Sequence, residues 1–414
     1  MTELLQIDEP GRVSRPPNWS AFLELGFRPL YLAGCAWAAV SVALWVFAPG
    51  LLRGKLAGVI WHAHEMLWGF IATIAVGFLL TATSNWTGTN PLKGRALGAL
   101  SLLWVLARVG YLVPGDLAFA LAVTAEGLFF TGAAIALGRA IYGARNQRNY
   151  GVPLLVLALG GADALFLLAA WQGDYGRLMQ HFNIGLLCMA ILALLVARRV
   201  IPFFAMRTMP GLNIPMHMRS GHWQLAAGGL AIGSWLMGWA EVSALFLSVT
   251  GVVALVQVMA WKPAAVRRVP LLWILYVGYA AIGMGLLVTA AYAVGAVLRA
   301  AWPAHVIGAA GLSVLIIGMV TRTALGHLGR PLRSDSLIVW CYGLVISAAA
   351  LRLLAILPTQ LALGALYASA AVWVLAFSLY LWRFFPLLIR PRIDTPITPV
   401  LKPEKNAVRP RTLQ

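Results

Sequence analysis

WHAHEMLWGF, residues 61–70, joins metal-ligand chemistry to a membrane helix. Two histidines and a glutamate open the stretch, and the chain then stays apolar to about Thr83. A membrane-spanning helix needs about 20 predominantly apolar residues, and ionisable side chains inside such a span are costly and usually functional. The stretch therefore predicts a membrane helix that carries ligand-type side chains at one end.

The composition extends this pattern to the whole chain. Of 414 residues, 61% are hydrophobic and 11% are charged, against roughly 45–50% and 25% in soluble domains. The sequence predicts an all-α fold, a polytopic membrane bundle of about twelve transmembrane helices. We expect a cytoplasmic N-terminal segment at 1–27, a twelve-helix membrane domain at 28–389 and a basic cytoplasmic tail at 390–414.

Twelve apolar runs are long enough to be counted as spans. The shortest breaks separate the third from the fourth run, the seventh from the eighth and the eleventh from the twelfth. The predicted spans are 28–48, 61–83, 96–113, 117–138, 153–171, 178–200, 222–240, 243–261, 271–298, 304–322, 336–357 and 361–389.

The positive charges orient the bundle. The net charge is +18, and Lys and Arg concentrate at the two ends and in alternate connections. Because cation-rich loops of membrane proteins face the cytoplasm, both termini are predicted to be cytoplasmic. This distribution indicates a lipid bilayer rather than a nucleic acid as the partner. In the connections on the opposite side of the membrane, the only Lys and Arg residues are Arg53, Lys55, Arg177 and Arg299.

Four histidines share one predicted depth, at the non-cytoplasmic end. His62 and His64 begin the second helix, His181 begins the sixth and His305 begins the tenth. A spacing of four helices suggests three repeats of four helices, with coincidence as the alternative. Thr81, Arg198 and Arg322 follow His64, His181 and His305 by 17 positions.

The histidines favour a metal site. Imidazole without thiolate suits haem iron, copper or zinc, and the lack of a C-x-x-C-H motif excludes covalent c-type haem. A belt of interfacial histidines beside Trp61 and Trp68 would explain one histidine better than four on three helices. His62 and His64 stand about 200° apart on a regular helix. They are therefore expected to serve different sites, unless the helix starts irregularly.

Neighbouring residues are candidates for supporting roles. Met66 shares a helical face with His62, and Trp61 is a candidate donor to haem propionates, together with Arg177, Arg299 and Trp302. Glu65 is the candidate catalytic proton donor, because it shares a helical turn with the histidines. Glu126 and Asp163 also lie at membrane depth, where no partner can be assigned to them and a structural hydrogen bond is as good an interpretation.

His327 is a separate candidate ligand. It stands in GHLGRP at the predicted cytoplasmic end of the tenth helix, where a loop could fold back. For the other motifs at this end a structural role is favoured over a chemical one, because their Gly, Pro and Asn residues supply turn geometry.

Several motifs resemble the NnrS family from about Phe27 to Trp382. They are FRPLYL, WHAHEMLWGF, LTATSNWTG, HFNIGLL, ARRVIPFF, HVIGAAGL and TRTALGHLGRPL. The resemblance implies a bacterial inner-membrane protein that contains non-covalent haem and copper and takes part in the response to nitric oxide and nitrosative stress. It does not settle the role of any histidine. The matching histidines are His62, His64, His181, His305 and His327.

The plan also resembles the core of haem-copper oxidases and nitric oxide reductases, in which three four-helix arcs place ligands on helices 2, 6 and 10. The sixth helix lacks the H-P-E-V-Y type stretch, the seventh lacks a His-His pair and the tenth lacks a second histidine two residues on. The shared plan alone does not transfer function.

The favoured hypothesis is a haem protein, also containing copper, that binds or consumes nitric oxide. If it is catalytic, the reaction is reduction of nitric oxide to nitrous oxide, with Glu65 delivering protons and a quinol or periplasmic protein donating electrons. The alternative is a membrane transporter or a metal or haem trafficking protein, but the apparent repeat is parallel and threefold rather than inverted. A structural or sensory role accounts less well for the clustered histidines.

Overall fold

The computed structural model describes residues 16–393. These residues form helices joined by short connections, with no β-strand in the described range. Residues 1–15 and 394–414, which hold most of the predicted N-terminal segment and basic tail, lie outside the description.

Twelve long helices occur in the described part, and each overlaps one predicted span. Ten are long and apolar enough to cross a membrane, which confirms the all-α, polytopic prediction. The helices are α1 (Phe27–Phe47), α2 (Gly58–Thr87), α3 (Gly94–Gly110), α4 (Asp116–Gly143), α5 (Gly151–Gln172), α6 (Tyr175–Thr208), α7 (Met218–Leu236), α8 (Ala240–Ala260), α9 (Pro270–Ala293), α10 (Ala301–His327), α11 (Ser336–Leu354) and α12 (Ala362–Leu388).

The two helices that do not qualify as spans are α3 and α7. Helix α3 has 17 residues and includes Arg95 and Arg108. Helix α7 carries Arg219, His222 and Gln224 in its first two turns. Polar and charged side chains lower the mean hydropathy that marks a span.

Helices α2, α6 and α10 form the centre of the bundle and pack against one another. In the apolar 18-residue stretch of each of these helices, the buried share of the residues is 83% for α2, 83% for α6 and 78% for α10. The corresponding share in the other seven spans is 33–61%. The outer helices close around them where α4 packs on α5, α8 on α9 and α12 on α1. These contacts join helices that follow one another along the chain, and they bring the last long helix back against the first.

Two of the central helices contain a π-helical segment. Glu65–Ala72 is π-helical in α2, and Val306–Ser313 is π-helical in α10. Each segment starts one residue after a histidine, His64 or His305. Wide turns of this kind are rare and concentrate at functional sites. Helix α6 continues from Tyr175 to Thr208 as one α-helix.

Candidate functional site

An apolar cavity of about 250 Å³ opens where α2, α6 and α10 begin. Helices α1, α11 and α12 complete its wall. A concave, mostly apolar pocket with a few convergent polar groups is the usual form of a cofactor site. The polar and sulfur-containing side chains of the lining are His62, Met66, Tyr175, Met179, His305, Ser313, Arg352 and Ser369.

His62 presents an imidazole with unused hydrogen-bonding capacity to this cavity. Its ring stacks on Trp45, with centroids 3.9 Å apart and planes inclined by 11°. Its Nδ1 is buried and has no hydrogen-bond partner among the described residues. Since buried polar atoms in folded proteins are nearly always paired, this nitrogen marks a place where a ligand is expected.

His305 faces the same cavity from α10. Its Nδ1 lies 2.7 Å from the backbone oxygen of Ala301, so Nδ1 carries the proton and donates it. Its Nε2 then accepts a hydrogen bond from Arg352 Nε at 2.9 Å. The His62 and His305 ring centroids are 6.4 Å apart, with planes inclined by 19°.

His64 lies in different surroundings, inside a polar cluster that is closed to solvent. Its Nδ1 is 2.8 Å from Glu65 Oε1. Its Nε2 is 3.0 Å from Asp163 Oδ1 and 3.3 Å from Glu126 Oε2. All four side chains are at most 2% exposed. Glu65, which follows His64 in the sequence, therefore faces this cluster rather than the cavity.

Arg108 joins the carboxylates of the cluster. It donates to Glu65 Oε2 at 2.8 Å and, through its other amino group, to Glu126 Oε1. Tyr111 donates to Glu126 Oε2 at 2.8 Å, and Trp37 Nε1 donates to Glu65 Oε2 at 2.5 Å. Because an unpaired buried charge is strongly destabilising, these contacts make the charged side chains depend on one another. We call His64, Glu65, Arg108, Glu126 and Asp163 the buried charge cluster.

The other residues predicted for the outer site lie apart from the cavity lining. His181 is half-buried on α6, and its buried Nδ1 has no partner in the described structure. Trp61 is fully buried and packs edge-on against Trp37 at 6.2 Å. Neither belongs to the described lining. The cavity thus brings together His62, Met66 and His305 of the predicted set.

His327 lies at the opposite end of α10. Its ring packs 5.5 Å from that of Phe27, and it lines a separate cavity of about 520 Å³ with Arg207 and Arg322. Twenty-two residues separate it from His305, which corresponds to roughly 33 Å along a helix. The two histidines cannot serve one site.

The predicted propionate donors have other contacts. Arg177 pairs with Asp174 at 3.3 Å on the surface, and Arg299 donates to the backbone oxygen of Ile356. Trp302 is half-buried and does not belong to the described cavity lining. The cation that lines the cavity is instead Arg352, whose guanidinium lies 5.4 Å from the Trp45 ring centroid.

Sequence reasoning missed Arg108, Tyr111 and Arg352. Both arginines stand inside predicted spans, at 96–113 and 336–357, where a cation is as costly as a carboxylate. That position was the signal that could have found them. Arg108 also supplies the partner that the sequence could not assign to Glu126.

The model of the family described as NnrS protein matches residues 21–392 of this chain. The match spans all twelve long helices and both sites described above. No curated protein matches the chain.

Proposed function

The chain belongs to the NnrS family, and from that premise and the cavity geometry we propose that it binds haem between His62 and His305 and acts on nitric oxide. Family membership supports a membrane protein of the nitric oxide response. The haem, its ligands and the reaction are our proposal.

The observation that carries the proposal is the pair of imidazoles at the cavity. Metal–imidazole bonds are about 2.0–2.1 Å long, and the 6.4 Å between ring centroids is enough for one metal ion between the two rings. The buried, unpartnered Nδ1 of His62 indicates the same place. Imidazole is a common axial ligand of haem iron, and the apolar lining suits a porphyrin.

His305 is already oriented as a ligand. Metal-binding histidines generally donate their other ring N–H to a carbonyl or carboxylate, which fixes the tautomer. The His305 contact with Ala301 does this and leaves Nε2 as the acceptor. Binding through Nε2 requires Arg352 to give up its hydrogen bond to that atom. The freed guanidinium would then be available for an acidic group of the cofactor.

Haem, when bound, would supply an iron that could take up nitric oxide when the gas displaces one of the two imidazoles. The side chains that surround this position are mainly apolar. Met66 belongs to this lining, and its sulfur lies 3.8 Å from the Ser41 hydroxyl oxygen.

Copper fits the cavity less well than haem. With both imidazoles engaged, the remaining soft donors of the described lining are the thioethers of Met66 and Met179. Copper sites usually add imidazole or thiolate to such ligands. We therefore propose haem alone for this cavity, and copper that is present in the wild type but lost from both His62→Ala and His305→Ala would contradict that choice.

Glu65 bears on whether the protein turns nitric oxide over. Reduction of two molecules to nitrous oxide and water consumes two electrons and two protons. Glu65 does not line the cavity, and its two carboxylate oxygens contact His64, Trp37 and Arg108. The geometry therefore supports binding of nitric oxide better than proton delivery by Glu65 during turnover.

Optical spectroscopy of the purified protein tests the proposal. Protein expressed with haem available should show a Soret band that shifts when nitric oxide is added. His62→Ala and His305→Ala should each lose the band, whereas the exposed His222→Ala should keep it. Absence of the band from the wild type, or its retention in both cavity variants, would contradict the proposal.

A further inference from the structure

The buried charge cluster contains a set of metal-ligand atoms that the haem proposal does not use. His64 Nε2, one Glu126 oxygen and one Asp163 oxygen all lie within 4.8 Å of one another. They come from three helices, α2, α4 and α5, and each side chain is at most 2% exposed. The three atoms converge on one point inside the membrane domain.

The surroundings of His64 require positive charge at that point, supplied either by a second proton on the ring or by a bound cation. Its Nδ1 faces Glu65 Oε1 at 2.8 Å, so an Nδ1–H can donate there. Nε2 of the neutral ring then carries a lone pair, yet it faces acceptor oxygens of Asp163 and Glu126 at 3.0 and 3.3 Å. Three acceptors facing one another without a proton repel. A bound cation converts this repulsion into ligation.

The spacing suits a single ion. Ligand atoms about 2.0–2.2 Å from a tetrahedral metal ion lie roughly 3.3–3.6 Å apart. The two distances from Nε2 are 3.0 and 3.3 Å, so a small outward movement of the oxygens would accommodate the ion.

The charge balance indicates a divalent ion. Among the described residues, the cluster has three carboxylates and one guanidinium. With His64 neutral, these groups leave two negative charges buried where unbalanced charge is costly. One doubly charged cation neutralises them. Protonation of His64 alone would leave one negative charge.

The ligands are already supported by neighbouring groups. Glu65 orients His64, while Arg108 and Tyr111 hold the two oxygens of Glu126. Such outer partners are characteristic of protein metal sites, because they fix ligand orientation before the metal binds.

We propose that His64 Nε2, Glu126 and Asp163 bind a divalent first-row transition-metal ion. One imidazole and two carboxylates without sulfur suit a divalent ion rather than Cu(I). The site is separate from the proposed haem cavity, although His62 and His64 are neighbours on α2. The two proposals can therefore fail independently.

Metal analysis of the purified full-length protein provides the test. Protein from metal-supplemented cells, prepared without chelators, should contain about one equivalent of a divalent transition metal in addition to haem iron. One equivalent is expected because His64, Glu126 and Asp163 together form one site. Asp163→Asn and Glu126→Gln should each lose that equivalent and keep haem. The matched control Glu241→Gln changes an exposed glutamate and should keep both.

A second measurement covers variants that do not fold. Wild-type protein treated with a chelator should melt at a lower temperature, and added Zn²⁺ should restore the melting temperature. If the wild type contains no such metal and Zn²⁺ does not raise its melting temperature, the inference is wrong. That result would indicate a cluster neutralised by protons, and it would leave the haem proposal standing if the Soret band is present. Retention of the metal by both carboxylate variants would also overturn the inference.

Discussion

His62 and His64 are two residues apart on one helix, yet they have opposite surroundings. His62 lies against an apolar cavity, and its buried Nδ1 has no partner among the described residues. Both nitrogens of His64 face carboxylate oxygens, and the residue is 0% exposed. The comparison shows that the face of the helix on which each histidine stands determines which groups its ring nitrogens contact.

The two regions should also differ in their contribution to stability. In the buried charge cluster Arg108 is the cation that contacts Glu65 and Glu126, so removing it leaves two buried carboxylates without that partner. The cavity is lined mainly by apolar side chains, and its polar contacts involve a neutral imidazole. We expect changes in the cluster to affect folding first, and changes at the cavity to affect cofactor binding first.

Substitution of Arg108 should give the largest effect on stability. Arg108→Met removes the guanidinium shared by Glu65 and Glu126, and removal of one partner from a buried ion pair costs about 3–5 kcal/mol. Arg352→Met removes a hydrogen bond from a charged guanidinium to a neutral ring and should cost about 1.5–3 kcal/mol. Unfolding of both variants in detergent measures the difference.

The control for this comparison is Arg177→Met, whose side chain is 68% exposed. It should change the free energy of unfolding by less than about 0.5 kcal/mol. If Arg108→Met resembles this control, the charges of Glu65 and Glu126 are compensated in some other way, and the contrast between the regions is lost.

The helices were predictable from the sequence because their signals are local. Long apolar runs and cation-rich connections give the number, order and approximate ends of the spans. Glu126 and Asp163 could be recognised as unusual for the same reason. Their partners could not be assigned, because the contacts to Arg108 and His64 depend on how α2, α3, α4 and α5 pack together.

The π-helical segments limited prediction of the site. A regular helix places residues three and four positions apart on one face, which would put both Glu65 and Met66 on the face of His62. In the structure Met66 lines the cavity while Glu65 joins the buried charge cluster. The wide turns begin directly after His64 and His305, and the pattern of residues in the sequence does not predict them.

A pair of glycines tests the difference in packing. A Cβ on Gly69 would lie 2.5 Å from Arg108 Nη1 and 2.7 Å from Glu65 Oε2, whereas a Cβ on Gly308 would meet no atom within 4 Å outside the backbone of its own helix. Gly69→Ala should destabilise the protein by about 1–3 kcal/mol through overpacking. Gly308→Ala, also in a π-helical segment, should leave stability nearly unchanged and narrow the cavity.

Melting temperatures and haem content of the two alanine variants provide the readout. Equal melting temperatures would mean that the charge cluster yields as easily as the cavity wall. Loss of haem from Gly69→Ala alone would reverse the assignment of the two regions.

The smallest expected effect on stability comes from the surface ion pair between Asp335 and Arg383. This exposed pair is a reference with which the buried charges can be compared. Burial raises the pKa of Asp335, but the hydrogen bonds from the Ile338 N–H and from Arg383 outweigh it and leave the pKa below its usual value. A lowered carboxyl pKa stabilises the fold above the unfolded value of about 3.9, and this contribution is lost as the pH falls through the folded pKa.

Asp335→Ala should therefore lower the melting temperature near neutral pH, by the loss of a helix cap worth about 1 kcal/mol. The difference from wild type should shrink below about pH 4, where the carboxyl of the wild type becomes protonated. Melting curves at neutral and acidic pH measure this change. A difference that does not depend on pH would assign the effect to packing rather than charge.

The wide turns in α2 and α10 also have a consequence for the orientation of the residues that precede them. Because a π-helical turn contains more residues than an α-helical turn, restoring α-helical winding in Glu65–Ala72 without changing its length would rotate the preceding WHAH relative to the rest of the helix. His62 would leave the cavity and His64 would leave the carboxylates. The two histidines that line the cavity stand on the helices that contain a wide turn, whereas α6 is an uninterrupted α-helix and its His181 does not belong to the described lining. A substitution that restores α-helical winding in this segment would therefore disable both sites without altering any of the residues that form them.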